Sequence, residues 1–319
     1  MRSNSLTYSG KPPSCIAMGC EPLGGIDWGD VDIPLIRKAV AQAWDLGITT
    51  FDTADAYGLG AGEEELSKAL GSNRHDAFII TKFGVAWEVD PNGGRARTFR
   101  DASPSYMRQA LEASLRRLRV DVIPLYLVHW PDPGTKLDDT LEALEVARQE
   151  GKILNYGLSN FDKNSILSAA QSHSIGAVEA AYDLLGKHSQ RPVFEAAKTK
   201  NLHCFSYGPL AQGLLTGKYK QSHAFKSTDR RTRLVQFQPD NWARNDKVLN
   251  LLQETSSKYN KSITQCALRW ILDDGLIDTI IIGAKNPDQV ISNFDILTWK
   301  MEAEDVEMLS QSELTKVAS

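Results

Sequence analysis

Eight short apolar runs, most of them followed by a longer segment of helical period, are the feature that most constrains what this chain can fold into. They are CIAMG (15–19), ITTF (48–51), FIIT (78–81), VIPLYLV (122–128), ILNYGLS (153–159), AVEAAY (177–182), HCFSYG (203–208) and TIIIG (279–283). The segments between them read as helices. In PSYMRQALEASLRRLR, residues Met107, Leu111, Ser114, Leu115 and Leu118 fall on one face. Pro104 after Ser103 marks a helix start, and Asp138 marks another; Gly47, Gly71 and Gly151 stop helices ahead of the next strand. Strands alternating with crossover helices imply a parallel sheet. Eight strands close a (β/α)8 TIM barrel, with a doubly wound open sheet as the other arrangement of the same pattern. A chain of 319 residues suits a single barrel domain over 1–319.

The spacing breaks once. About 70 residues lie between the seventh and eighth strands, and part of that stretch is a long basic loop around 209–240. It carries Lys218, Lys220, Lys226, Arg230, Arg231 and Arg233 against Asp229, a composition suited either to closing over a phosphate-bearing ligand or to a solvated excursion.

Other classes find no support. A net charge of −4 gives no reason to expect nucleic acid or an acidic membrane surface as partner. The four cysteines, Cys15, Cys20, Cys204 and Cys266, form no C-x-x-C pair, and the six histidines lack metal-ligand spacing. No metal site is therefore expected. The N-terminal segment does not read as a signal peptide, and no run of ~20 apolar residues could span a bilayer, so the cytoplasm is the default compartment. GLGAG (58–62) imitates a dinucleotide fingerprint, but its glycines are spaced G-x-G-x-G, and Lys82 stands where a second strand would end in an acid.

Barrel enzymes place their chemistry at the C-terminal ends of the strands. Strand two ends in Asp52, followed by Asp55 and Tyr57; strand three ends in Lys82; strand four ends in His129 and then Trp130. Reducing a carbonyl needs a hydride donor to carbon and a proton donor to oxygen. Tyr57 supplies a phenol, which a neighbouring ammonium makes a stronger acid. Asp52 holds Lys82 charged, and His129 can donate to the oxygen where negative charge develops. A Schiff-base aldolase using Lys82 is the competing chemistry, and it requires a depressed lysine pKa that Asp52 opposes.

With these residues in place, the chain resembles the aldo-keto reductase family. GITTFDTADAYGLGAGEEELSKAL (47–70) is similar to the family's first signature, and TKFG (81–84), LYLVHWPDP (125–133), GKILNYGLSNF (151–161) and SYGPLAQGLLTGKY (206–219) are similar to further blocks. The resemblance covers about residues 15 to 298 and is closest to the branch holding bacterial aldehyde and sugar reductases and potassium-channel β subunits. It implies Tyr57 as proton donor with Asp52, Lys82 and His129. It implies Ser159, Asn160 and Glu179 at the nicotinamide carboxamide and Tyr207 stacked on the ring. Pro209, Leu210, Gln212, Gly213 and Lys218 would lie under the pyrophosphate, and Gly283, Lys285, Gln289 and Asn293 at the adenosine end, where a helix N-terminus favours phosphate. NADPH is the implied cofactor, read through Lys285, and NADH is a second candidate. The substrate is a small carbonyl compound, with Glu21, Trp28, Trp87 and Trp130 as candidate pocket residues.

Three positions depart from the family. Glu179 replaces a common Gln, Gln289 a frequent Arg, and Gly62 a frequent Ser that could cap a helix. Two further functions remain open on the sequence: a cofactor-holding sensor like the channel subunits, and a sugar or alcohol dehydrogenase working in the oxidative direction.

Overall fold

The computed structural model describes residues 6–26, 31–90, 96–226 and 229–312. Eight parallel strands close a barrel: β1 (Ile16–Gly19), β2 (Thr50–Asp52), β3 (Phe78–Phe83), β6 (Ile123–Val128), β7 (Ile153–Ser159), β8 (Ala177–Ala181), β9 (His203–Tyr207) and β10 (Thr279–Gly283). Each pairs with the next around the ring, and β10 returns to β1 with Ile16 opposite Ile280. Closure leaves no free sheet edge and excludes the open doubly wound sheet. The remaining strands, β4 (Val85–Glu88) and β5 (Arg97–Arg100), form an antiparallel ribbon after β3 that the periodicity does not announce.

Side chains alternate across a strand, so each barrel strand has an inner and an outer set. One buried cluster joins Ala17, Phe78, Ile80, Leu125, Leu127, Ala177, Phe205 and Ile281, alternate residues from six strands, and this cluster fills the lumen. Leu6 joins it from the N-terminal side and closes the lower end. Continuing the same alternation upward by two residues gives Lys82 on β3, His129 after β6, Glu179 on β8 and Tyr207 on β9. The lumen thus changes from hydrocarbon to polar groups at one level. The second and larger cluster lies between strands and helices.

The helices include α1 (Ile33–Asp45), α2 (Ala61–Leu70), α3 (Pro104–Leu118), α4 (Leu137–Gln149), α5 (Lys163–Ser172), α6 (Lys187–Thr199), α7 (Trp242–Tyr259), α8 (Ile263–Asp273), α9 (Pro287–Phe294) and α10 (Ala303–Gln311). Ser103 caps α3 by accepting from the Tyr106 amide, 3.3 Å, as its sequence position suggests. Two start signals shift. Lys136 is the residue before α4, and Asp138 lies in its first turn, where its charge suits the helix dipole. Gly60 (φ 98°) precedes α2, so Gly62 lies inside the helix rather than at its cap. A Cβ on Gly62 would approach Tyr57 Cβ to 3.0 Å, which gives the glycine there a packing reason. Among the described residues no helix is long and apolar enough to cross a membrane. The stretch between β9 and α7 is a series of short 3-10 turns: Ala211–Thr216, Arg230–Arg233, Val235–Phe237 and Pro239–Asn241.

Candidate active site

The upper level of the lumen collects the ionisable residues of strands that are far apart in sequence. Lys82, fully buried, donates to Asp52 Oδ2 and to the Thr53 carbonyl at 3.0 Å. Glu179 Oε1 lies 3.4 Å from the same ammonium. Tyr57 stands on the turn after β2, with Lys82 Nζ 5.6 Å from its ring centre and the His129 ring edge-on at 5.8 Å. Asp52, Lys82, Tyr57 and His129 are therefore one cluster, and Glu179 is part of it.

Two carboxyls share one ammonium. Burial pushes Asp52 up and Lys82 pulls it back, leaving it above the usual aspartate range. Burial, then the charge of Asp52, raises Glu179 to about 8. Burial pulls Lys82 down, but the two carboxyls outweigh it and the lysine is raised. A lysine held charged in this way does not suit Schiff-base chemistry. His129 is driven well below its ordinary value by burial, Lys82 and Arg100, so it is a neutral imidazole.

Tyr57 departs from the sequence expectation. Its pKa is raised well above the ordinary phenol, by burial first and then by Asp52, Glu21 and Glu179. Lys82 does not make it a stronger acid because burial and the negative charge of Asp52 dominate at the phenol. The turn is also held by close backbone packing. The short 3-10 turn Glu21–Gly24 lies against it, and a Cβ on Gly24 would fall 2.6 Å from Gly58 N and 2.7 Å from Tyr57 C.

Asp55 does not join the cluster. Its carboxyl is fully buried with both oxygens lacking a hydrogen-bond partner, and burial followed by the charge of Glu63 raises its pKa well above normal. Glu63 itself accepts from Thr81 Oγ1 and from Arg117 Nε, each at 2.6 Å. These charges serve the packing of α2 and α3 on the barrel.

Beside Glu179, Ser159 Oγ lies 3.4 Å from Oε1. Asn160, in a left-handed conformation (φ 64°), donates to the His129 carbonyl and to Ser159 Oγ, both at 3.0 Å, and accepts from the Tyr207 hydroxyl at 2.7 Å. Its amide hydrogens are thus committed to orienting neighbours. Glu179 Oε2, His129 Nδ1 and Ser206 Oγ are buried without a partner. Unsatisfied polar atoms gathered at one level of a barrel fit a polar planar group such as a carboxamide. Farther out, Ala211 (φ 48°), Gln212 (φ 54°) and Gly213 (φ 94°) follow one another in the left-handed region. The amides of Ala211 and Gly213 donate to the Gly208 and Leu210 carbonyls, both at 2.9 Å, which fixes this tight turn. Pro209 and Leu210 lead into this segment, and Lys218 is exposed at its far end.

The N-terminus of α9 is capped by Asn286, which accepts from the Gln289 amide at 2.9 Å, while Gln289 Oε1 accepts from the Lys285 amide at 2.8 Å. Gly283 ends β10 and Asn293 is buried on α9. Lys285 is lowered by burial and by Arg231, with Asp229 opposing. Arg231, which sequence reasoning left as one of several loop cations, acts electrostatically on Lys285. Asp229 holds it through Nε–Oδ1 at 2.9 Å and Nη2–Oδ2 at 2.5 Å, and its guanidinium stacks on Phe225 (4.6 Å) and Tyr219 (5.1 Å). Tyr219, Phe225 and Arg231 lie six residues apart outside any α-helix or strand, so their spacing did not signal this contact.

The candidate pocket residues fall differently. Glu21 acts on Tyr57 electrostatically. Trp130 stacks beside His129 and carries the Arg100 guanidinium 4.9 Å above its ring. Trp87 is half-buried on β4. Trp28 lies outside the described residues.

The sequence profile of the Aldo/keto reductase family matches residues 16–313. The chain belongs to this family. It is accordingly an NAD(P)H-dependent oxidoreductase acting on carbonyl groups. The aldo-keto reductase YhdN of Bacillus subtilis is 32% identical over 308 residues, 96% of this chain and 91% of that protein. An NADH-specific methylglyoxal reductase of Escherichia coli is 29% identical over 297 residues, 90% of each. A glycerol dehydrogenase from Gluconobacter oxydans superposes with a TM-score of 0.87 at 30% identity, covering 98% of this chain and 95% of that one. For a reductase of this family the polar level of the lumen is where chemistry belongs, since it is the C-terminal end of the strands.

Proposed function

We propose that this chain reduces small aldehydes and ketones to alcohols with NADPH, and that Tyr57 delivers the proton. The observation that carries the reading is the convergence of Tyr57, His129, Lys82 and Asp52 on the inner face of the barrel. The bound nicotinamide would supply hydride to the carbonyl carbon. Tyr57 keeps its proton across the neutral range because its pKa is raised, and it gives that proton to the substrate oxygen as alkoxide character develops. His129, neutral, orients the carbonyl by hydrogen bonding. Lys82 and Asp52 fix the polar floor on which Tyr57 stands.

Ser159 and Glu179 face the carboxamide end, with Asn160 orienting Ser159 and Tyr207. The turn carrying Pro209, Leu210, Gln212 and Gly213 would lie under the pyrophosphate, with the exposed Lys218 at its far end supplying positive charge. Lys285 and Arg231, both cationic beside the α9 N-terminus, suit a 2′-phosphate, with Gly283, Gln289 and Asn293 around them. This favours NADPH over NADH, unlike the Escherichia coli relative named for NADH. Glu21, Trp87 and Trp130 are the candidate substrate contacts.

The test is a panel of activated aldehydes, such as nitrobenzaldehydes and methylglyoxal, with each cofactor and without added metal. Tyr57→Phe should lower turnover ~10²–10⁴-fold while reduced-cofactor binding stays near wild type. Wild-type turnover in Tyr57→Phe, with chemistry rate-limiting, refutes the proton-donor assignment.

A further inference from the structure

Glu179 gives the lumen a second carboxyl beside Asp52. Its Oε1 lies 3.4 Å from Lys82 Nζ and 3.4 Å from Ser159 Oγ. Its Oε2 is buried and receives no hydrogen bond from a donor. Asp52 grips the same ammonium more closely. Two buried carboxyls facing one ammonium cannot both ionise without leaving a negative charge uncompensated. The tighter ion pair of Asp52 with Lys82 leaves Glu179 as the carboxyl that holds a proton, and burial with the charge of Asp52 raises it accordingly.

The groups facing this cluster come from every side of the barrel. They are Cys20 at the end of β1, Asp52 on β2, Tyr57 after it, Lys82 on β3, His129 after β6, Ser159 on β7 and Tyr207 on β9. Of these only Lys82 is cationic and only Asp52 is anionic at neutral pH. With Glu179 protonated the charges of Lys82 and Asp52 offset each other, while Glu21 and Arg100 act from outside the lumen on Tyr57 and His129 with opposite signs. A reduced nicotinamide is neutral and preserves that balance; an oxidised one adds a positive charge in a buried place, where an ionised Glu179 would neutralise it.

We propose that Glu179 is a redox-linked proton site, which holds its proton beside the reduced nicotinamide and releases it to solvent when the oxidised nicotinamide is bound. The inference rests on the nicotinamide reading of the site. It makes affinity for the oxidised cofactor rise with pH, by up to about tenfold per unit between the Glu179 pKa values of the two complexes, while affinity for the reduced cofactor stays level. A value of about 8 without cofactor places this change in an accessible range.

The experiment is a proton count. NADP+ and NADPH are titrated separately into the native protein at pH ~7, with proton release read from calorimetry in buffers of different ionisation enthalpy. The 2′-phosphate is common to both forms, so the difference between them reports the ring end alone. NADP+ should release close to one proton more per site than NADPH, and Glu179→Gln should remove that difference. Across about two pH units around neutrality, the ratio of the two dissociation constants should move by at least ~10-fold in the native protein and stay flat in Glu179→Gln. The native measurement stands even if the variant folds poorly. Equal proton counts for the two forms, or a difference that persists in Glu179→Gln, overturns the inference and leaves the cofactor reading intact. Failure of either form to bind overturns the cofactor reading and this inference with it.

Discussion

Replacing Lys82 with Met keeps most of the side-chain volume and removes the charge. Lys82 has no exposed surface, and the side chains of Asp52 and Glu179 are 5% and 3% exposed, so water cannot take over the ammonium's role. Removing one partner of a buried ion pair typically costs about 3–5 kcal/mol. For a chain of this size roughly 2 °C of melting temperature follows each kcal/mol, so Lys82→Met should melt ~6–10 °C lower at pH ~8. The loss should depend on pH in a definite direction. Without the ammonium both carboxyls sit further above their unfolded-state values. Groups with raised folded pKa values contribute stability that is present below the unfolded pKa and is lost as pH rises through the folded one. At pH ~5.5 both carboxyls can protonate and bond to each other, and the deficit should shrink by more than about 1 kcal/mol. Urea unfolding of both proteins at the two pH values measures this directly, and Lys82→Met with Asp52→Asn should recover part of the loss at the higher pH. An equal deficit at both pH values would show that the cost is packing alone and that the charge reasoning is wrong.

Three further outcomes follow from the geometry. Lys285→Ala should weaken NADPH about 10- to 100-fold, the range for a hydrogen bond to a charged group, with NADH little changed in a fluorescence titration; equal weakening of both would remove Lys285 from the 2′-phosphate. Asp55 has a raised pKa from burial and Glu63, so its contribution to stability is greatest below the unfolded value and fades as pH rises. Asp55→Asn should therefore gain on the wild type in melting temperature between pH ~5 and pH ~8, and a constant difference would show that the carboxyl does not titrate in that window. Gly24→Ala must push the Tyr57 turn away from its present position, and an ~1 Å displacement of a catalytic group can cost ~10² in rate. A kcat unchanged from wild type would mean the turn absorbs the methyl group without moving the phenol.

The order of apolar runs and helical segments in this chain determined an eight-stranded parallel sheet with crossover helices, because periodicity reports which face of each element is buried; closure into a barrel rather than an open sheet was decided by the tertiary structure. The same alternation carried Lys82, His129, Glu179 and Tyr207 to the inner face, so most of the candidate site could be read as the residues above the last hydrocarbon layer. The ribbon β4–β5 lies outside the eight-strand pattern, and the short runs VAWE and RTFR carry no period that announces it. Other features were beyond local pattern. Which carboxyl neutralises Lys82 depends on distances across the barrel, and those distances reversed the expected effect on Tyr57. Asp55 and Asp52 are three residues apart, yet one faces the lumen and the other packs beneath helices, because the chain leaves the strand between them. The stacking of Arg231 on Tyr219 and Phe225 and the contact of Gly24 with Gly58 likewise join segments that no period connects. Sequence period encodes burial one element at a time; charge balance and steric room are set between elements, once the barrel has closed.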